Sequence, residues 1–201
     1  MASRIIGVLG RKRHGKDTFA ARLCSEHGFT RLAFGDNLRT AVLKQDPFIV
    51  VTSDEYGVLA REGWALPYPG PYVTRLSHLV QALGWDKAKE LREVRRTLQH
   101  MGMGVRDLDP DFWLRIVLDQ AATVHGPVVI TDVRFSNEVD AVRNHLRGST
   151  VRIVNPRIPR PAEDHVSESA LDYFTPDITV PNAGTVEDLH RHADRIACAL
   201  S

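Results

Sequence analysis

The feature that most constrains this chain is an apolar run followed at once by a glycine-bounded basic loop. The run Ile5–Leu9 is apolar throughout, and the loop after it has the pattern Gly-x-x-x-x-Gly-Lys, formed by Gly10, Gly15 and Lys16. Glycine lets the backbone turn tightly with its N–H groups pointing at an anion, and a following helix adds the positive end of its dipole. The pattern predicts a strand, a loop that binds nucleotide phosphates, and a helix.

The loop departs from the standard pattern at one position. Asp17 stands directly after Lys16, where Ser or Thr is usual, and Thr18 comes one residue later. A glycine turn that binds nothing is the simpler alternative. The apolar run before the loop and the helical pattern after it favour the phosphate site, in which Lys16 reaches the terminal phosphates as a mobile charge.

Composition narrows the class of protein. The chain has 201 residues, 26 Lys and Arg against 25 Asp and Glu, and a formal net charge of +1, which argues against a polyanion-binding protein. The two cysteines, Cys24 and Cys198, form no metal or redox motif, which indicates a reduced, cytoplasmic setting. No apolar run approaches the length of a membrane span, and the N-terminus lacks a secretory layout.

The order of elements predicts an α/β fold with a five-stranded parallel sheet. Strand patterns at 5–9, 128–132 and 150–154, with shorter ones at 30–34 and 178–180, alternate with helical patterns, and the first of them is a continuous apolar run. The segment 46–71 has no clear period, and helices are expected at 73–83 and 87–101. We therefore expect one domain with its core at 1–35, 110–154 and 176–201, a helical lobe at 36–109 and a lid at 155–175.

Two further stretches carry groups suited to phosphate chemistry. Asp132 ends an apolar strand, so its carboxylate lies at the edge where α/β sheets bind ligands and could hold Mg²⁺ directly or through water. A helix-capping role is the simpler alternative for Asp132. Arg134 follows as a candidate phosphate clamp, and Arg157 and Arg160 lie on a loop that could close over transferring phosphates.

A third stretch, residues 98–113, covers the end of one predicted helix and the start of the next. Gln99 has an amide suited to a base or sugar edge, and Arg106 could clamp a phosphate. Trp113 could stack on a base, although by composition alone a core position is the commoner role of such a residue.

Taken together, these stretches resemble the deoxynucleoside monophosphate kinases of large DNA phages, within the nucleoside-monophosphate-kinase-like group of P-loop proteins. The resemblance covers nearly the whole chain and rests on the order of short motifs: Gly10 to Thr18, Ala33 to Arg39, Leu98-Gln99-x-x-Gly102, Asp109 to Trp113, Thr131 to Glu138, His165-x-Ser167-Glu168 and Asn182-x-Gly184-Thr185. Two departures are Arg39 where Lys is frequent, and Met103-Gly104 where Thr-Glu is frequent.

The resemblance implies a three-layer P-loop fold with a helical lobe for the nucleoside monophosphate, and transfer of the γ-phosphate of ATP to a dNMP. It implies a catalytic set of Lys16, Arg134, Arg157 and Arg160; ATP contacts from Gly10, Arg13, His14, Gly15, Lys16, Asp17, Thr18 and Asn182; dNMP contacts from Asp36, Arg39, Gln99, Arg106, Trp113, Arg134 and Glu138; and Mg²⁺ ligands from Asp17, Thr18 and Asp132.

The expected partner is a small-molecule dNMP, with no nucleic acid and no membrane. The oligomeric state is left open, and a homodimer is one of the alternatives. The expected location is the cytoplasm, of the host if the gene belongs to a phage. Alternatives are another small-molecule kinase of the same fold, such as a dephospho-CoA kinase, a non-kinase NTP-binding regulator, and a nucleic-acid-end kinase, which the near-zero net charge disfavours.

Overall fold

The structure is a computed structural model, and it describes residues 4–61, 63, 71–159, 170–172 and 174–200. The strands within these residues are β1 Ile5–Leu9, β2 Thr30–Leu32, β3 Phe48–Val51, β4 Tyr72–Arg75, β5 Val128–Ile130, β6 Ser149–Val154 and β7 Ile178–Pro181. The helices are α1 Lys16–His27, α2 Phe34–Gln45, α3 Tyr56–Arg61, α4 Leu76–Ala88, α5 Arg92–Leu108, α6 Phe112–Thr123, α7 Ser136–Asp140 and α8 Val186–Ala199. A 3₁₀ turn spans Ser53–Glu55, and a π-helical turn spans Ala141–His145.

The described residues divide into two compact units. The first, called the core unit, comprises residues 1–35 and 111–201, and the second, called the inserted unit, comprises residues 36–110. Each unit is described by itself below.

The core unit is built on a five-stranded parallel sheet with the order β2-β5-β1-β6-β7. This arrangement confirms the predicted α/β class and the five-stranded parallel sheet. The central strand β1 is buried at all five positions. Ile6 and Val8 belong to one hydrophobic cluster and Ile5 and Leu9 to another, because successive side chains of a strand point to opposite faces.

Helices cover both faces of this sheet, which gives three layers. The first cluster joins the sheet to α1 and α8 through side chains such as Phe19, Leu23 and Leu189. The second joins it to α6, α7 and the π-helical turn through side chains such as Val117 and Val142. Burial on both faces explains why the central strands are continuous apolar runs instead of alternating ones.

The inserted unit contains an antiparallel pair of strands that the sequence analysis did not predict. Strands β3 and β4 pair in the register Phe48↔Arg75 to Val51↔Tyr72, so the expectation of an irregular segment 46–71 is wrong at β3, at the 3₁₀ turn and at α3. The inner face is buried, with Ile49 and Val51 fully covered. The outer face leaves Phe48, Val50 and Val73 exposed.

Helix boundaries in the inserted unit also differ from the prediction. The helix expected at 73–83 is α4, which begins only at Leu76, because residues before it pair in β4. It is interrupted at Gly84, whose φ of 71° and ψ of 164° are not helical. The helix expected at 87–101 is α5, which runs from Arg92 to Leu108. Of the helices that the structure describes, none is long and apolar enough to cross a bilayer.

Candidate active site of the core unit and of the inserted unit

The predicted phosphate loop connects β1 to α1 at the carboxyl edge of the sheet. Gly10 has φ of 139°, and Gly15, at the N-cap position of α1, has φ of 98°. Arg13 also has a positive φ, of 66°. These left-handed conformations turn the backbone tightly around the start of the helix, and a nest of N–H groups at a helix N-terminus is suited to an anion.

The loop is braced by two segments that lie far along the chain. A Cβ atom at Gly10 would lie 2.5 Å from the backbone oxygen of Ile153, at the end of β6. A Cβ atom at Gly15 would lie 2.5 Å from the Nδ2 atom of Asn182. That Nδ2 atom donates a hydrogen bond to the backbone oxygen of His14 at 3.0 Å. Both glycines are therefore required by close packing as well as by their φ angles.

The side chain of His14 takes part in the same packing. It is 7% exposed, and its Nδ1 atom lies 3.3 Å from the Ile153 oxygen and 3.3 Å from the backbone nitrogen of Asn155. A neutral Nδ1 can donate to the first or accept from the second, but it cannot do both at once. The imidazole thus faces the protein interior, and the backbone N–H of His14 donates to the backbone oxygen of Arg11 at 3.2 Å. Both groups of His14 support the shape of the loop, and its contact with ATP stays a prediction.

Lys16 lies at the first position of α1, with Asp17 and Thr18 behind it. The Nζ atom of Lys16 donates to the backbone oxygen of Arg11 at 2.7 Å, which places the ammonium group over the loop. Asp17 is exposed in the first turn of α1, where a carboxylate is stabilised by the helix dipole, and Thr18 is half-buried.

Arg11 is a site residue that the sequence analysis did not select. Its guanidinium group donates to both carboxylate oxygens of Asp172, at 2.8 and 2.7 Å. Nearby, Arg152 donates to the backbone oxygen of Leu171, and burial lowers the pKa of Arg152 although the charge of Asp172 opposes that shift. The sequence signal for Arg11 was an arginine within the Gly-x-x-x-x-Gly-Lys loop. Its acidic partner, Asp172, lies 161 residues away along the chain and could not be inferred.

Asp132 caps the start of α2, which is the simpler of the two roles considered for it. Its Oδ1 atom accepts a hydrogen bond from the Phe34 N–H at 2.9 Å, and its Oδ2 atom accepts one from the Gly35 N–H at 2.8 Å. Each carboxylate oxygen has a second lone pair, so this contact is compatible with a further water-mediated interaction. The predicted role in holding Mg²⁺ stays a prediction.

Glu138 is a buried structural group in this fold. It is 1% exposed, and its Oε2 atom accepts hydrogen bonds from the backbone N–H groups of Arg134, at 2.7 Å, and Phe135, at 3.1 Å. The carboxylate therefore fixes the backbone that carries Arg134 at the start of α7. Direct dNMP contact by Glu138 stays a prediction, and its burial favours this supporting role.

The remaining predicted residues of the core unit are placed as follows. Trp113 is 5% exposed and packs edge-on against Phe112 at a centroid distance of 5.0 Å, so little of its ring is open to a ligand. Arg157 is exposed, and its backbone N–H donates to Asn155 at 2.9 Å. Arg160 and the His165-x-Ser167-Glu168 motif lie outside the described residues.

The inserted unit carries Asp36 and Arg39 on one face of α2. Arg39 donates to the Oδ1 atom of Asp36 at 3.0 Å, and both residues line an open groove. Gln99 and Arg106 lie on α5 and are half-buried, and Arg106 also donates to the backbone oxygen of Pro110 at 3.3 Å. Neither Gln99 nor Arg106 is among the residues that line that groove.

Among the described residues, no group of three or more His, Cys, Asp or Glu side chains is arranged to hold a metal ion. Mg²⁺ in phosphotransferases is commonly bound by one or two protein oxygens, with waters and substrate phosphates completing its shell. The carboxylates of Asp17 and Asp132 and the hydroxyl of Thr18 supply oxygen ligands of that kind. The residues present are therefore chemically suited to hold Mg²⁺.

The sequence was compared with known protein families. Residues 75–193, which make up more than half of the chain, match the family described as Deoxynucleotide monophosphate kinase. The chain belongs to that family. It is therefore a nucleotide phosphotransferase, and the predicted activity, a deoxynucleoside monophosphate kinase acting on a small-molecule nucleotide, is confirmed at this level.

A curated relative agrees with this membership. The "Putative deoxynucleotide monophosphate kinase" of Acanthamoeba polyphaga mimivirus is 27% identical over 187 residues, which cover 92% of each chain.

Similar solved structures include a dephospho-CoA kinase from Campylobacter jejuni, with 13% identity, coverage of 100% of this chain and 99% of that one, and a TM-score of 0.46. Another is a shikimate kinase from Aquifex aeolicus, with 12% identity, coverage of 97% and 96%, and a TM-score of 0.43. Similarity at this level carries no argument about the substrate. The α/β class rests on the parallel sheet itself.

Proposed function

We propose that the chain transfers the γ-phosphate of ATP to the 5′-phosphate of a deoxynucleoside monophosphate, giving the diphosphate and ADP, with Mg²⁺ as the metal. The observation that carries this proposal is the braced phosphate loop, in which Gly10 and Gly15 take positive φ angles at the start of α1. The family of the chain supports the identity of the acceptor.

In this proposal, the loop from Gly10 to Thr18 binds the β- and γ-phosphates of ATP. Lys16, which already lies over the loop, neutralises the transferred phosphoryl group. Arg13 and Gly15 contribute through the loop backbone, and His14 contributes by holding the loop in shape through the hydrogen bond from its N–H to the Arg11 oxygen. Asn182 acts from behind the loop through its hydrogen bond to the His14 oxygen, next to the expected position of the ATP base.

The acceptor groups are proposed unit by unit. In the core unit, Arg134 binds a substrate phosphate, and its backbone is held in place by Glu138. In the inserted unit, Arg39 and Arg106 bind phosphate, while Asp36 and Gln99 contact sugar or base. Trp113 has a supporting role, and Arg157 and Arg160 close over the phosphates. These roles complete the set of residues proposed from the sequence.

The chemistry asks little covalent participation of the protein. The phosphorus–oxygen bond between the γ-phosphorus and the bridging oxygen breaks as an oxygen of the acceptor phosphate bonds to the same phosphorus, and ADP leaves with the electron pair. The attacking oxygen is anionic at neutral pH, so no general base is required. Positioning and charge neutralisation by Lys16 and the arginines are the main contributions.

Mg²⁺, when bound, neutralises charge on the β- and γ-phosphate oxygens. Thr18 or Asp17 would hold it directly, and Asp132 would act through water. Because both Asp132 oxygens accept backbone N–H groups, the water-mediated arrangement suits this carboxylate better than direct ligation.

The test is an assay of ADP release and diphosphate formation with ATP, each of the four dNMPs, the matching ribonucleotides and dephospho-CoA. We expect turnover with dNMPs, and a loss of several orders of magnitude in Lys16→Ala, because the transferred phosphoryl group loses its nearest mobile charge. Lys87→Ala, an exposed lysine of α4, is the matched control and should keep normal turnover. Phosphorylation of dephospho-CoA alone, or ordinary activity of Lys16→Ala, would contradict the proposal.

Two further expectations, on the location and the oligomeric state of the protein, accompany the proposal. We place the enzyme in the cytoplasm, in keeping with the free thiols of Cys24 and Cys198. We also propose a homodimer, for which the exposed apolar side chains Phe48, Val50 and Val73 on one face of the β3–β4 pair are the supporting observation.

A further inference from the structure

Arg11 links the phosphate loop to a turn that lies far along the chain. Its backbone oxygen accepts hydrogen bonds from the Nζ atom of Lys16, at 2.7 Å, and from the N–H of His14, at 3.2 Å. Its guanidinium group donates to both carboxylate oxygens of Asp172, at 2.8 and 2.7 Å. Arg11 therefore holds the ammonium group of Lys16 with its backbone and a distant carboxylate with its side chain.

Asp172 is a fixed partner for this arginine. The backbone oxygen of the preceding residue, Leu171, accepts hydrogen bonds from the guanidinium group of Arg152 and from the N–H of Phe174. The side chains of Leu171 and Phe174 pack on the second hydrophobic cluster of the core unit. The turn that carries Asp172 is thus attached to the sheet through its backbone and through its apolar side chains, and it can hold Arg11 in one place.

The contact between Arg11 and Asp172 is more than a surface ion pair. The two side chains are only 19% and 21% exposed, and both carboxylate oxygens are engaged. Bidentate pairing of an arginine with a carboxylate fixes the orientation of both groups, whereas a single contact between exposed side chains contributes little. Arg11 is thereby held within a loop whose first and last glycines, Gly10 and Gly15, are already fixed by close packing.

We propose that Asp172 is a positioning residue for Lys16, and that it acts through Arg11. An ammonium group has three N–H donors on a flexible stem, so holding one of them on a fixed backbone oxygen orients the others. Phosphoryl transfer depends on such positioning, because the developing charge must be met by groups that are already in place. The inference rests on the proposed function, because it takes Lys16 as the group that neutralises the transferred phosphoryl group.

Asp172→Asn tests this role with little change of shape. The amide keeps one acceptor oxygen, but it replaces the other with a donor and removes the charge, so Arg11 loses its bidentate partner. We expect kcat, with ATP and a dNMP at saturation, to fall by at least about tenfold, while KM for ATP changes by less than about twofold. The split arises because a misplaced ammonium group weakens binding of the transition state more than binding of ATP.

Asp194→Asn is the matched control. Asp194 also accepts two hydrogen bonds from one arginine, Arg22, at 2.9 and 3.0 Å, but this pair joins the middle of α1 to α8. The control should leave kcat and KM for ATP unchanged. Hydrogen exchange of the loop amides 10–16, measured without nucleotide, should become at least about threefold faster in Asp172→Asn and stay unchanged in Asp194→Asn.

The arginine provides a second route if Asp172→Asn does not fold. Arg11→Gln should lower kcat as Asp172→Asn does, and Arg11→Lys, which keeps one charge-assisted hydrogen bond, should lower it less. The double variant Arg11→Gln/Asp172→Asn should be no slower than either single variant, because both substitutions remove the same contact. Effects that multiply in the double variant would show that the two residues act independently, and would overturn the assignment.

Three further outcomes bear on Asp172. If Asp172→Asn and Asp194→Asn lower kcat equally, or if Asp172→Asn turns over normally, Asp172 does not position Lys16. If Asp172→Asn instead binds ATP more tightly, the carboxylate keeps Arg11 away from the phosphates, and the assignment to Lys16 is wrong. If the wild type transfers no phosphate to a dNMP, the proposed function fails, and loop exchange decides the role of Asp172: faster exchange in Asp172→Asn alone supports it, and equal exchange overturns it.

Discussion

Replacing Gly10 by Ala perturbs the closest approach in the phosphate loop. Gly10 has φ of 139°, and a Cβ atom there would lie 2.5 Å from the backbone oxygen of Ile153. Real Cβ atoms do not approach a backbone oxygen so closely, so either β6 or the loop must move. Gly126, in the connection between α6 and β5, has φ of 144°, but a Cβ atom there would meet no atom within 4 Å.

These two glycines separate the conformational cost from the steric cost. An alanine forced into this backbone region is expected to cost about 1–3 kcal/mol, and that is the expected effect of Gly126→Ala on the free energy of unfolding. Gly10→Ala adds an overpacking cost of about 1–3 kcal/mol, for a total of about 2–6 kcal/mol. Since a domain is typically stable by about 5–15 kcal/mol, Gly10→Ala lies close to the limit of a foldable variant.

The assay is urea unfolding followed by far-ultraviolet circular dichroism, together with initial-rate kinetics for ATP. We expect the two variants to differ by at least about 1 kcal/mol in the free energy of unfolding, with Gly10→Ala the less stable. Gly10→Ala should also raise KM for ATP, because the loop must move to accept the methyl group, whereas Gly126→Ala should leave KM unchanged.

Two results would refute this role of Gly10. If Gly10→Ala is as stable as Gly126→Ala, the contact with Ile153 imposes no constraint on the loop. If Gly10→Ala is less stable but binds ATP normally, the close contact is structural and the loop does not need this geometry to hold phosphates.

Two further predictions concern contacts behind the loop and between helices. Asn182→Ala removes the hydrogen bond to the His14 oxygen and should lower the free energy of unfolding by about 1 kcal/mol and raise KM for ATP; an unchanged KM would mean that Asn182 does not support the ATP site. Hydrogen bonds from Arg22 and then from His27 lower the pKa of Asp194 from 3.8 to about 2, so the stabilisation that they give is complete above about pH 4 and is lost as the pH falls through 2. Asp194→Asn should therefore be less stable than the wild type by about 1 kcal/mol at pH 7, with the difference vanishing near pH 2 in thermal unfolding; a difference that persists at pH 2 would contradict this assignment.

The sequence could predict those parts of the fold that depend on local signals or on runs of apolar residues. The continuous apolar runs at β1 and β5 identify buried parallel strands because both of their faces are covered. Thr185 and Asp188 have the spacing of a capping box and form one at α8, with the Asp188 carboxylate accepting from the Thr185 N–H at 2.8 Å.

The start of α2 could not be predicted from its neighbours. Asp36 and Asn37 are common helix caps, so the local sequence favours a helix that begins at Leu38, but α2 already begins at Phe34. The reason is that Asp132 accepts the hydrogen bonds of the first N–H groups, and it lies 98 residues away from Phe34 along the chain. A cap supplied from such a distance leaves no local signal.

Ser136 shows how a correct local signal can be misassigned. Ser136 is a common helix cap, so the local sequence favours a helix over 137–144 that begins after it. The structure begins α7 at Ser136, with Phe135 at the N-cap position and Glu138 as the capping carboxylate, and it ends the segment in the π-helical turn Ala141–His145. Phe135 has no side-chain oxygen, so the Ser/Thr-x-x-Glu signature of a capping box is absent, and the buried carboxylate of Glu138 left no local signal in the sequence.

The β3–β4 pair was missed for a different reason. The run Phe48–Val51 is apolar at every position, although alternate side chains are exposed, so it lacks the polar alternation that marks a half-exposed strand. Its partner, Tyr72–Arg75, begins 21 residues after β3 ends, too far for a hairpin signal. The lining of the groove in the inserted unit could not be predicted in full for a similar reason, because Trp85 joins the α2 side chains that line it only after the break at Gly84.

The order of the sheet has a consequence for how this protein is made. The central strand β1 is synthesised first, but its two neighbours in the sheet are β5, which begins at Val128, and β6, which begins at Ser149. While the ribosome extends the first half of the chain, the apolar strand Ile5–Leu9 has neither neighbour to pair with. Transiently unpaired apolar strands favour aggregation, so this segment is exposed to it until β5 and β6 have been made, and a product truncated before Asn182 lacks the brace of its phosphate loop.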